Sequence, residues 1–140
     1  MRTGTLLAVI LMQGACALRG GHRIDFSRLQ AADRIQVIDA LGQPFRTIQE
    51  RMAIDEAIKF IGPYQSGWKD PGLGPIAPDF QLFFYQGERF LGAFGIAYRH
   101  IVSHSPVDGF WSREVPISEL TRLSQTLGLP RPSVVEPKKD

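Results

Sequence analysis

The chain is poor in cysteine and lacks a hydrophobic run long enough to cross a membrane. Cys16 is the only cysteine, which excludes an internal disulfide. The apolar run at 6–12 falls far short of the roughly 20 residues that a membrane-spanning helix needs. Cys16 and the apolar run lie in the same segment, "TLLAVILMQGACAL" at 5–18. The role of this segment decides where the protein works.

Charge of one sign is also scarce. The formal net charge is +2, and no basic block occurs before Lys138 and Lys139 at the C-terminal end. Because nucleic-acid-binding proteins present clustered Lys and Arg, no nucleic-acid partner is expected.

Catalytic and metal-binding motifs are missing. Ser103 and His104 are neighbours, but no GxSxG nucleophile elbow is present. His100 and His104 have the spacing of metal ligands on a helix, yet their segment reads as strand or loop, where four residues span about 13 Å. We expect no catalytic residue, no metal and no cofactor. An enzyme whose site is assembled only in three dimensions remains an alternative.

Segment 5–18 has the layout of a secretory signal peptide. Arg2 precedes the short apolar centre, and small residues at 14, 15 and 17 follow it. We therefore predict that residues 1–17 are a signal peptide and that the protein is exported to the bacterial cell envelope.

Two processing sites overlap at Cys16. The sequence "ACA" at 15–17 fits ordinary cleavage after Ala17, which would give a soluble periplasmic protein. "GAC" at 14–16 resembles the lipobox of bacterial lipoproteins, although Gln13 replaces the usual aliphatic residue. A lone cysteine at the cleavage point favours lipidation of Cys16, so we predict a lipid-anchored protein that faces the periplasm.

The rest of the chain has the composition of one globular domain, with 44% hydrophobic and 21% charged residues. We predict a tether at 18–32 that can hold a short helical turn, a single domain at 33–128 and a disordered tail at 129–140.

Periodicity predicts the first elements of this domain. Apolar and polar residues alternate at 34–40, as in a strand, and a short return strand begins at Phe45. "TIQE" at 47–50 has the form of a capping box that starts a helix at Thr47. One face of this helix then carries Ile54, Ala57, Ile58 and Ile61.

A hairpin is predicted around Gly87 and Glu88. A two-residue loop would place Phe80, Leu82, Phe84, Leu91, Ala93, Gly95 and Ala97 on one face. The other face would hold Phe83, Tyr85, Phe90, Phe94, Ile96 and Tyr98. Since close packing of a helix needs small residues, we expect the helices over Ala93, Gly95 and Ala97.

"FWSREV" at 110–115 predicts another strand, and a last helix capped by Ser118 should end at Gly128. Its predicted buried residues are Leu120, Leu123 and Leu127. The order β-β-α-β-β-β-α defines an α+β domain with an antiparallel sheet of about five strands and two helices.

Aromatic residues are the remaining functional signal. Trp111 and Arg113 share one face of a strand, and this pair of residue types is typical of binding hot spots. Trp68 lies in the Gly- and Pro-rich loop at 62–78. We predict a partner-binding surface bordered by Trp68, Tyr85, Tyr98, Trp111 and Arg113. The alternative places both tryptophans in or beside the core.

Five segments together resemble a group of small exported bacterial proteins, many of them predicted lipoproteins. They are "ADRIQVID", "TIQERMAIDEAIKFI", "GW" at 67–68, "FFYQGERFLGAFGI" and "FWSREV". The resemblance implies an envelope location and a compact α+β domain, and it supplies neither an activity nor site residues.

The leading functional hypothesis is a non-enzymatic, membrane-tethered module that binds a protein or peptide partner. A periplasmic inhibitor or immunity protein would be a special case. The alternative is a small-molecule or glycan-binding periplasmic module with loop 62–78 as its lid.

Overall fold

The computed structural model describes residues 21–72, 76–105 and 109–131. They form an α+β fold with one antiparallel sheet of six strands, one more than predicted, in the order β2-β1-β3-β4-β5-β6. The strands are β1 (Arg34–Asp39), β2 (Pro44–Ile48), β3 (Phe80–Gln86), β4 (Arg89–Ala97), β5 (His100–Ser105) and β6 (Gly109–Glu114). The helices are a 3-10 helix (Ser27–Ala31), α1 (Arg51–Ile61) and α2 (Ile117–Thr126). In the described part of the chain, no helix is long and apolar enough to span a membrane.

The additional strand, β5, follows a turn that the sequence does not signal. Tyr98 and Arg99 form a two-residue loop between β4 and β5. Arg99 adopts a φ of 59°, a conformation in which Gly, Asn and Asp are far more common. Its carbonyl accepts a hydrogen bond of 2.9 Å from the amide of Val115, which fixes the turn to the end of β6.

A bulge in β4 changes the predicted sorting of the hairpin faces. The loop between β3 and β4 has the predicted length, and Gln86 pairs with Arg89. Further along, Tyr85 pairs with Phe90, whereas Phe84 pairs with Gly92. One residue of β4 is therefore extra at this point, and every later residue of the strand points to the opposite face.

The core consequently lies against the large residues of β4. Phe94 pairs with Leu82, and its ring stacks 6.1 Å from that of Phe60 in α1. Ile96 is buried in the same cluster. The prediction that the helices cover Ala93, Gly95 and Ala97 is wrong, because the bulge turns these residues to the other side of the sheet.

The start of α1 also differs from the prediction. Thr47 belongs to β2, and its hydroxyl donates a hydrogen bond of 2.8 Å to the Gln36 side chain on β1. Glu50 occupies the N-cap position with no side-chain cap bond. The capping-box prediction is wrong because Thr47 is a strand residue that pairs with β1. Ile54, Ala57 and Ile61 are buried as predicted, and Ile58 is half-buried.

Helix α2 starts one residue before Ser118, with Pro116 at the N-cap, so Ser118 is not the cap. The predicted stop at Gly128 is confirmed by its φ of 66° and by two bonds that close the helix end. The amide of Gly128 binds the carbonyl of Gln125, and that of Leu129 binds the carbonyl of Ser124. The predicted inward residues Leu120, Leu123 and Leu127 are buried.

The described residues before 33 belong to the domain and are not a tether. Phe26 and Leu29 are buried in the core, and the predicted helical turn is the 3-10 helix. His22 exchanges two backbone hydrogen bonds with Trp68, of 2.9 and 3.3 Å. The folded region also extends past 128, since Leu129 is buried. The predicted signal peptide, Cys16 and most of the predicted tail lie outside the described residues.

The burial pattern of α1 predicts unequal costs for two similar substitutions. Ile54 is 1% exposed, so Ile54→Ala should lower the free energy of unfolding by about 2–5 kcal/mol through the cavity it leaves. Ile58→Ala, four residues further along, should cost clearly less because that side chain is half-buried. Urea denaturation of both variants measures the difference. Equal costs would contradict this placement of the helix.

Candidate functional site

Strands β4 and β5 pair only beside their shared turn. Their register ends at Gly95 opposite Val102, whereas β5 remains paired with β6 up to Ser105. In the described residues, β4 from 89 to 94 therefore has no partner in β5. We call the gap between residues 90–93 of β4 and 103–104 of β5 the strand split.

Cavities lie on both sides of the strand split. The outer cavity, about 180 Å³, is on the face away from the helices. The inner cavity, about 470 Å³, lies beside the 3-10 helix. Both are lined by Phe90, Ala93, Ser103, His104 and Trp111. Because the same residues line both cavities, the split opens on the two faces of the sheet.

The outer cavity is apolar and is covered by part of the loop that precedes β3. Pro71, Ile76 and Pro78 line it opposite Phe83 and other residues of the sheet. A Cβ atom at Gly95 would lie 2.8 Å from Cβ of Pro78. Glycine at 95 therefore allows this segment to lie directly on the sheet.

Aromatic rings border the split and are accessible to solvent. Phe90 is 53% exposed and Phe110 is 47% exposed. The ring of His104 stacks on Phe110 at 4.1 Å, and that of His22 stacks on Trp111 at 3.9 Å. We call His22, Phe90, His104, Phe110 and Trp111 the aromatic rim. Phe90, His104 and Phe110 are exposed, and exposed apolar surface of this kind often marks an interaction site.

Trp68 does not belong to this surface. It is fully buried, 5.9 Å from Phe26, and its indole N–H donates a hydrogen bond of 2.7 Å to the carbonyl of Tyr64. With that N–H satisfied inside its own loop, the whole side chain can enter the core. The prediction that Trp68 borders an open surface is wrong.

Trp111 and Arg113 share a face as predicted, but only Trp111 reaches the split. Arg113 donates a hydrogen bond to the carbonyl of Ser66, and its guanidinium lies 4.7 Å from the centre of the Tyr64 ring. Gly67 packs on the same guanidinium. Arg113 therefore stabilises the turn at 64–67 as a half-buried structural residue.

The two predicted tyrosines lie at different ends of the sheet. Tyr85 is half-buried, with its ring 5.7 Å from Phe90 and the Arg34 guanidinium 4.6 Å away, so it adjoins the aromatic rim. Tyr98 is in the β4–β5 turn, where the strands are paired, and Arg99 lies over its ring. The structure thus brings Trp111 and Tyr85 towards the split and keeps Tyr98 apart.

The sequence-based prediction missed Phe90, Phe110 and the two histidines of the rim. The pattern of β3 and β4 did place Phe90 beside Tyr85, and this is confirmed. His104 and Phe110 pair across β5 and β6, and the sequence analysis did not predict this pairing.

Tyr64 joins this side of the domain to α2. Its hydroxyl donates a hydrogen bond to the Glu119 carboxylate. Burial, and next the bond to Glu119, raise the pKa of Tyr64 to about 12. The residues described by the structure contain no group of three or more His, Cys, Asp or Glu that could hold a metal ion.

No protein-family model, curated protein or solved structure shows a significant match to this chain. The function of the strand split therefore has to follow from its own geometry.

The raised pKa of Tyr64 predicts a loss of stability in alkali. The unfolded chain loses the phenol proton near pH 10, while the folded protein keeps it until about pH 12. The stabilisation is complete below pH 10 and disappears as the pH rises through 12. Tyr64→Phe should remove this part of the decline. Urea denaturation at pH 8 and pH 11.5 measures it, and identical pH dependence in the two proteins would disprove it.

Proposed function

We propose that this protein is a non-enzymatic binding module of the bacterial envelope, which docks an extended segment of a protein or peptide partner at the strand split. One observation carries the proposal: β4 continues past the end of its pairing with β5, beside an exposed aromatic rim.

The open stretch of β4 offers backbone groups to a partner. An extended segment laid against residues 89–94 would accept and donate the ladder hydrogen bonds that β5 does not make there. Successive side chains of that segment would point alternately to the two faces of the sheet. On the outer face they would meet Phe83, Phe90 and Phe110. The preferred partner therefore carries apolar residues at every second position.

A small molecule or glycan is the second candidate ligand. The stacked pairs His22–Trp111 and His104–Phe110 present flat rings beside cavities that open on both faces. Flat rings of this kind suit the apolar face of another ring. This alternative uses the same rim but does not require the backbone edge of β4.

The proposed location follows from the N-terminal sequence. A signal peptide processed before Cys16 would leave a lipid-anchored protein that faces the periplasm. Cleavage after Ala17 would instead release a soluble periplasmic protein.

Selection from a random peptide library tests the binding proposal. Selected peptides should carry apolar residues in alternation, and Phe90→Ala and Phe110→Ala should each weaken their binding at least tenfold, as expected for hot-spot aromatics. The melting temperature should change little because both side chains are about half exposed. Phe45→Ala is the matched control, since Phe45 is 45% exposed on β2 at the far edge of the sheet.

Backbone methylation of the selected peptide separates the two candidates. N-methyl groups at one set of alternate positions should abolish binding, because they remove the N–H donors that face β4. The other set should be tolerated. If neither set matters, or if Phe45→Ala weakens binding as much as Phe90→Ala, docking as an added strand is wrong.

The anchor predicts a defined chemical modification. Mass spectrometry of the protein purified from membranes should show a lipidated Cys16 at the N-terminus, and Cys16→Ser should abolish incorporation of labelled fatty acid. An unmodified mature chain that begins at Leu18 would exclude the lipid anchor and indicate a soluble periplasmic protein.

A further inference from the structure

The outer cavity is distinguished from the inner one by the charge of its wall. None of the described residues that line the outer cavity is Asp, Glu, Lys or Arg. The inner cavity, by contrast, is lined by Asp25 and Arg28. Because burying a charge without a partner is costly, the outer cavity should accept neutral, mainly apolar groups and reject charged ones.

Aromatic pairs flank the outer cavity on two sides. Phe83 and Phe90 come from β3 and β4, with ring centres 6.0 Å apart. His104 and Phe110 come from β5 and β6 and are stacked at 4.1 Å. Both pairs line the cavity. Since aromatic rings attract one another in offset and edge-to-face arrangements, a flat ring between these pairs gains contacts that an aliphatic group does not make.

The volume of the outer cavity suits one such ring. It measures about 180 Å³. An apolar cavity of about 150 Å³ is large enough to hold benzene. The outer cavity therefore has room for a single aromatic side chain.

The segment that covers the outer cavity is fixed at both ends. At its start, the backbone of Lys69 exchanges hydrogen bonds of 2.8 and 2.9 Å with that of Ser112. At its end, the amide of Asp79 donates a hydrogen bond of 2.8 Å to the carbonyl of Ile96. These bonds hold the cover against the sheet before a ligand arrives, so binding a side chain there requires less ordering.

Ala93 relates the cavity to the docked segment. It pairs with Phe83 of β3 and lines the outer cavity. A segment residue directly opposite Ala93 would share its face of the sheet, and the small alanine side chain leaves that residue the space of the cavity. In docking by strand addition, such pockets for alternate side chains provide the specificity.

We propose that the outer cavity binds one neutral aromatic side chain of the docked segment, at the position directly opposite Ala93. The inference rests on the proposed function and defines the partner more closely. The segment carries Phe, Tyr or Trp at this anchor position, whereas its other outward positions need only be apolar.

Titration of the purified protein with N-acetylphenylalaninamide tests the cavity without any peptide. In NMR spectra, the methyl signals of Ile76 and Val102 should shift because both residues line the cavity. Those of Leu120, which is buried in α2, should not. N-acetylleucinamide is the neutral aliphatic control. It should bind roughly three- to tenfold more weakly, because it lacks the contribution of aromatic pairs.

A substitution that fills the cavity locates the anchor. Ala93→Leu should abolish the shifts caused by N-acetylphenylalaninamide and weaken the selected peptide about 10- to 100-fold, as expected when one large apolar side chain can no longer be buried. The melting temperature should change little because the added atoms enter an existing cavity. Ala40→Leu is the matched control, since Ala40 is exposed and lies between β1 and β2.

The outcomes separate this inference from the proposed function. Equal binding of the two amides by the unsubstituted protein, or full ring binding by the Ala93→Leu variant, would overturn the aromatic anchor. Docking of a segment would then still be judged by the N-methylated peptides. If the aromatic amide binds as described but no peptide is selected, the ring pocket is supported and the docking proposal fails.

Discussion

The contact between Leu29 and Gly92 connects the N-terminal segment to the bulge in β4, and the arrangement of the sheet depends on it. A Cβ atom at Gly92 would lie 3.0 Å from a methyl carbon of Leu29, so glycine lets the 3-10 helix approach the strand closely. Gly92 also has a φ of 155°. The bulge turns Phe94 and Ile96 into the core, and bulges increase local twist and often end strand pairing. The bulge lies within the stretch of β4 that borders the strand split.

Much of the fold could be predicted because apolar periodicity reports burial directly. Ile35 and Val37 alternate with polar residues and are both buried in β1, and the apolar face of α1 agrees closely with the structure. The failures have local causes. The prediction assigned alternate residues of β4 to opposite faces of the sheet, and the bulge reverses this assignment for the rest of the strand. Arg99 forms a turn that contains no Gly, Pro or Asn. Thr47 fits a capping box in sequence, but it pairs with Gln36 across two strands.

The candidate site was less predictable because it depends on where pairing stops. Trp68 and Trp111 look alike in sequence, yet Trp68 is enclosed and Trp111 reaches the split. The indole N–H of Trp68 donates a hydrogen bond to a carbonyl four residues earlier in the same loop, which satisfies it inside the core. Phe90 and Phe110 are far apart in sequence, and only the divergence of β4 and β5 places them around one cavity.

The described strand edges differ in how they are protected against pairing with another chain. This difference supports the proposed partner at the split. On β6, the backbone of Ser112 exchanges hydrogen bonds of 2.8 and 2.9 Å with Lys69, which covers that edge with the protein's own chain. At the opposite end, β2 is a strand of five residues that begins with Pro44, a residue that cannot donate to an added strand. Among the residues that the structure describes, nothing protects the stretch of β4 at the split in either way, although it lies beside Phe90. An uncovered backbone edge beside exposed aromatic rings invites unspecific association unless a defined partner occupies it. Protected outer edges, together with an inner stretch that no described residue covers, are what the proposed docking of an extended segment requires.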